Sequence, residues 1–145
     1  MAYAAQSDLV PLRMTQAELV QLTDDTNTGT VNAAIVSAAL EEASGRVDSY
    51  CRTRYQTPLQ TSDTLTSLTL DIATFLLFSR RRSAKNMETV RQRFEDAIAL
   101  LKDVSTGKAS LDQPASVQTP QTSAFSVEKS TKPLKFREHN VDGFI

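Results

Sequence analysis

Asp24 and Asp25 stand together in the polar stretch TDDTNTGT, and Gly29 follows Asp24 as the sixth residue of that loop. An acid at position one and a glycine at position six open a helix–loop–helix calcium site. That chemistry also needs oxygen ligands at positions three and five and a bidentate acid at position twelve. Here those positions hold Thr26, Thr28 and Ile35. One carboxylate holds the ion poorly, so a turn joining two helices explains the stretch better. No residue nearby in sequence completes an acid–base pair with Asp24 and Asp25. Cys51 is the sole cysteine and His139 the sole histidine. An internal disulfide is excluded, and a histidine-based metal cluster or a thiol–imidazole nucleophile has little to draw on. A small buried hydrophobe is the better role for Cys51. The four glycines are scattered and make no phosphate loop, and neither a serine nucleophile elbow nor a zinc-binding helix motif occurs. These absences point away from an enzyme, and nothing implies a metal or another cofactor.

The strongest local charge feature is Arg80, Arg81 and Arg82, joined by Lys85, Arg91 and Arg93. Such a corner suits contact with an acidic protein surface or with DNA. The plainer role is to complement the negative end of a helix dipole at a solvated corner. Overall the charge is balanced, 16 basic against 17 acidic residues, so no basic excess draws the whole chain to nucleic acid.

Positioning these groups falls to helices. LTSLTLDIATFLLF, Leu65 to Phe78, is the most apolar run, and Leu65, Leu68, Ile72, Phe75 and Leu76 recur at helical spacing. Leu70, Leu77 and Phe78 fall off that stripe, so the helix is apolar nearly all round and belongs at the centre of a bundle. It is too short for the roughly 20 residues of a membrane span and contains Asp71. Ser62 or Asp63 suits its N-cap. Long helices are expected near 31–55, 63–80 and 85–104. The first carries the stripe Val31, Ile35, Ala39, Ala43, Val47, Tyr50, Cys51 and Tyr55; the last carries Met87, Val90, Phe94, Ala97, Ile98 and Leu101. Ahead of them, Ser7 to Val10 suggests a short helical turn cut by Pro11, and Thr15 with Glu18 fits a capping box for a brief helix. Gly107 suits the position just past the last helix.

At 145 residues and 40% hydrophobic composition, the chain suits one modest core. The N-terminus lacks a basic n-region and a long apolar h-region, so no secretory signal is expected. After Leu111 the composition changes. The stretch 112–123 holds two prolines and one charge and reads as a linker. Beyond it, Phe125, Val127, Leu134 and Phe136 alternate, and Phe144 and Ile145 end the chain. Residues 1–111 thus form an all-α core, and 112–145 a linker and interaction arm with possible short β-strands. Extended, that arm spans on the order of 110 Å at ~3.3 Å per residue. Its apolar tip needs a partner, and another chain is favoured because the linker frees it from its own core.

Several segments resemble the Mu-like phage head–tail connector proteins, small helical adaptors below the portal ring of tailed phages. They are the opening MAYAAQSDLV, AELVQLTDD, the run from Ala33 to Leu59, LDIATFLLF, LKDVSTGKASL, and a close with Phe136, Arg137 and DGF. The most specific parts are Ala43 to Tyr50, then Arg54, Tyr55, Pro58 and Leu59, and Gly107 to Leu111. The loop after Thr23 is poorer in acids than its family counterpart. The resemblance covers nearly the whole chain. It implies a structural virion protein at the neck, forming a dodecameric ring between portal and tail. Its partners would be further copies of itself, the portal protein, a tail-side neck or terminator protein, and genomic DNA passing through the lumen, with no membrane. Before assembly it would lie in the host cytoplasm. The residues expected to meet partners are Arg80, Arg81, Arg82, Phe125, Val127, Leu134, Phe136, Arg137, Phe144 and Ile145. The competing reading is a small helical DNA-binding or regulatory protein. That would want a strongly basic recognition face, and the balanced charge argues against it.

Overall fold

Side-chain caps start three of the helices. Thr15 Oγ1 accepts from the Glu18 N–H at 3.3 Å while the Glu18 carboxylate accepts from the Thr15 N–H at 2.9 Å, the capping box expected there. Asn32 Oδ1 accepts from the N–H groups of Ala34 and Ile35, and Ser62 Oγ from that of Leu65. The computed structural model describes residues 2–81 and 87–114. Among them the chain forms α1 (Gln6–Leu12), α2 (Gln16–Thr23), α3 (Ala33–Cys51), α4 (Asp63–Ser79) and α5 (Met87–Thr106), with no strand. The all-α class is as expected. The possible strands of the arm lie outside the described residues.

α4 is the hub, packed against each of the other four helices. Leu65, Ile72, Ala73 and Leu77 are fully buried, and Leu70 nearly so. Enclosure is so complete that Thr69 and Thr74 are buried too, their hydroxyls without a hydrogen-bond partner among the described residues. α1 carries a kink: Val10 adopts φ −113°, ψ 121°, the extended conformation that the ring of a following proline imposes. The Val10–Pro11 and Thr57–Pro58 bonds are both cis.

Two expectations need correction. The helix expected over 31–55 runs only from Ala33 to Cys51. At its start Asn32 takes the cap and leaves Val31 outside; at its end Arg54 and Tyr55 turn back on the Cys51 carbonyl. Its buried face is also rotated, to Val36, Ala39, Leu40, Ala43, Ser44, Val47 and Cys51. Ile35 and Tyr50 sit on the flank, partly buried. Leu68, Ile72, Val47 and Val90 lie in the core as expected. Phe75, Leu76, Phe94 and Ile98 are only partly covered. Gly107 ends α5 with φ +88°, the left-handed conformation glycine favours. The Lys108 and Ala109 N–H groups then fold back onto the Asp103 carbonyl.

Candidate functional site

Chemistry-bearing side chains gather at the two ends of the bundle. At one end, the arginines that follow α4 turn onto the α2–α3 loop. Arg80 donates to the Leu22 carbonyl at 3.1 Å and to the Asp25 carboxylate at 2.8 Å. Arg81 donates to the Asp24 carbonyl at 2.7 Å and to the other oxygen of Asp25 at 3.2 Å. The dipole they complement is therefore that of α2, whose last carbonyls they cap, and not that of their own helix. The Asp24 carboxylate is engaged inside the loop, with Gly29 N–H at 2.6 Å, Thr26 N–H at 3.2 Å and the Thr28 hydroxyl at 3.2 Å. Gly29 adopts φ +74°. Donors occupy the carboxylate that the calcium arrangement would have used, and no metal-binding group of three or more His, Cys, Asp or Glu occurs among the described residues.

Those contacts hold both acids below the usual carboxylate range. For Asp25 the main cause is the Arg80 guanidinium, followed by Arg81; for Asp24 it is hydrogen bonding from Thr28, assisted by Gly29 and Thr26. A depressed carboxylate stabilises the fold above its unfolded pKa and loses that contribution as pH falls through its folded pKa. The loop should thus loosen first on acidification. Replacing Arg80 and Arg81 by Gln is expected to lower the melting temperature at neutral pH and to speed amide exchange across residues 24–32, with a smaller further change on acidification, the share of Asp24 alone. Unchanged melting and exchange would reduce the pair to a solvated corner.

At the other end, the α3–α4 connection holds both ends of the described chain. Tyr3 is buried, 3% exposed. Its N–H donates to Ser44 Oγ at 3.1 Å, its carbonyl accepts from the Thr66 hydroxyl at 3.0 Å, and its phenol donates to the Asp48 carboxylate while accepting the Leu59 N–H at 2.9 Å. Burial, then the Asp48 hydrogen bond, pushes the Tyr3 phenol up to about 12. Beside it, burial pushes the Cys51 thiol up to about 11, so this cysteine is the inert core residue its isolation suggested. On the C-terminal side, Tyr55 Oη accepts the Leu111 N–H at 2.9 Å, Arg54 donates to the Ala109 carbonyl at 3.5 Å, and Gln60 and Gln113 exchange two hydrogen bonds, of 2.8 and 2.6 Å. A Cβ on Gly107 would stand 3.1 Å from Arg54 Nη1. The segments Arg54–Leu59 and Gly107–Leu111, far apart in sequence, are one structural unit.

The candidate site residues therefore divide. Arg80 and Arg81 are held within the subunit, and each keeps about two-fifths of its side chain exposed. Arg82, Phe125, Val127, Leu134, Phe136, Arg137, Phe144 and Ile145 lie outside the described residues. Sequence reasoning missed the Tyr3 clasp; its only signal was one large aromatic among small residues at the start of the chain. It also missed the partner of Asp71. Arg13 reaches that carboxylate at 2.6 Å and Ser67 Oγ at 2.8 Å, tying α1 to α4.

A family model described as Bacteriophage Mu, Gp36 matches residues 3–129. The match starts at the Tyr3 clasp, takes in all five helices and continues past Pro114. No curated protein matches the chain at a significant level.

Proposed function

Because the chain belongs to the bacteriophage Mu Gp36 family, and is thus a protein of phage structure or morphogenesis, we propose that it is a head–tail connector. In this reading copies of the chain form a ring in the virion neck, between the portal and the tail-side neck or terminator protein, with the genome passing through the lumen. The family match over residues 3–129 is the observation that carries it. The fold supports it in two ways. The helices form a braced core, and the end of the described chain is fixed to it, where Gln113 grips Gln60. The segment beyond, with Phe125, Val127, Leu134, Phe136, Arg137, Phe144 and Ile145, is then the arm that reaches an adjacent subunit or ring. Arg80 and Arg81 keep the α2–α3 loop in shape at the opposite end, with half-exposed guanidiniums left to face a neighbouring ring or the DNA. No helix among the described residues is long and apolar enough to cross a membrane.

The test is a phage unable to make this chain. Filled heads and complete tails should accumulate unjoined, and the added purified protein should restore joining. Normal particle yield without the chain would overturn the reading.

A further inference from the structure

We propose that the partly covered apolar seam between α4 and α5, formed by Phe75, Met87, Phe94 and Ile98, receives the C-terminal segment of a neighbouring copy of this chain. The inference rests on the ring reading above and names the surface where one subunit holds the next.

α5 carries two apolar lines. Val90, Ala97, Leu101 and Val104 are buried against the bundle. Met87, Phe94 and Ile98, spaced i, i+7 and i+11, run along one flank of that line and stay partly exposed. From α4, Phe75 comes against this flank, its ring stacked on Phe94 with centroids 4.1 Å apart and planes 15° from parallel. One and two turns back along the same side of α4 lie Asp71 and Ser67, both taken by Arg13. The α1 end thus covers that side of α4 up to the stack, and the aromatic pair begins an apolar strip continued by α5.

The occupant follows from where the described chain ends. Pro114 follows the Gln60–Gln113 clamp at the C-terminal end of α5, while Met87 and Phe94 lie in its first half. From Pro114, the first apolar residue of the alternating stretch, Phe125, is on the order of 35 Å away in extended chain. α5 is about 30 Å long. The linker can therefore carry the apolar residues past the length of the bundle to the level of a seam. The described core has no strand, hence no sheet edge for strand addition, which leaves side-chain burial in an apolar strip as the way to hold Phe125, Val127, Leu134 and Phe136. A ring of more than two copies also needs two different surfaces on each subunit, one giving and one receiving. The arm leaves at one end of α5 and the seam lies toward the other, and together they supply such a pair.

The test uses full-length chains. One carries Ile98→Cys and a second carries Lys135→Cys; the two are mixed and treated with a short bis-maleimide. Cys51 is fully buried and stays out of the reaction. A cross-linked pair of the two chains is expected, at several-fold higher yield than when Leu100→Cys, exposed on the other flank of α5, replaces Ile98→Cys. Adding Phe94→Ala to the seam chain should lower the yield about tenfold. Equal yields at the two flanks, no cross-linked pair, or a link formed only within a chain carrying both cysteines would overturn the proposal. Head–tail joining by the wild-type chain reports separately on the connector reading, so the seam can fail while that reading stands.

Discussion

Ile72→Ala is expected to destabilise the fold by about 2–5 kcal/mol, the range for emptying a buried aliphatic site. Ile72 is wholly inaccessible, in the middle of a helix that packs against each of the other four described helices. A void there is bounded by several helices at once, which leaves less room for local collapse than at a two-helix contact, so the upper half of the range applies. Ile72→Val removes one methylene and should cost about 0.5–1.5 kcal/mol. Ile98→Ala, on the partly covered seam, should cost less than Ile72→Ala. The measurement is the urea midpoint at an unchanged slope, since a slope change would signal a different denatured state. Equal midpoints for wild type and Ile72→Ala would remove α4 from the centre of the core.

That centre was legible in the sequence for a simple reason. Apolar residues nearly all round a helix leave it little solvent face, so most of Leu65 to Phe78 had to be enclosed whatever the rest of the chain did. Local caps were legible too: Thr15 with Glu18, and Gly107, act through residues three to six positions apart. The faces of α3 and α5 were less so. In α3, Ile35 and Tyr50 fall on the same broad stripe as Val47, and only the packing direction of α4 decides that Val36 and Leu40 go inward instead. In α5, Phe94 and Ile98 share a stripe with Val90 and Leu101, and periodicity alone does not distinguish its fully covered line from its flank. Long-range polar contacts were illegible. Arg80 and Arg81 read as an exposed cluster because Asp25, their partner, is more than fifty residues away. The segments carrying the family resemblance were recognised separately, at Ala43–Tyr50, Arg54–Leu59 and Gly107–Leu111. Their common purpose shows only in space, where Ser44 and Asp48 hold Tyr3 and Arg54 and Tyr55 hold the segment after α5.

Tyr3 gives the second large effect. Tyr3→Phe keeps the ring but leaves the Leu59 N–H and an Asp48 oxygen without their partner, a cost of about 1–3 kcal/mol. Tyr3→Ala also removes a buried aromatic and should reach the ~3–5 kcal/mol of such truncations. The buried, hydrogen-bonded phenol also carries a pH signature. The phenol pKa rises from 10.0 unfolded to about 12 folded, so between those values the unfolded chain binds fewer protons and stability falls as pH rises. The contribution is complete below pH 10 and gone above about 12; two units correspond to about 3 kcal/mol. Cys51, raised from 9.0 to about 11, begins the same decline one unit earlier, and Asp48 faces both groups. Wild-type stability should therefore drop from pH 9 upward and more steeply from pH 10. Tyr3→Phe should flatten the steeper part and leave the thiol's share, while Cys51→Ala should do the reverse. An alkaline profile for Tyr3→Phe parallel to that of wild type would show that the phenol is neither buried nor held as a proton donor to Asp48. Tyr3 would then not be clasped between α3 and the α3–α4 connection, and that connection would lose the bonds from Tyr3 that brace it.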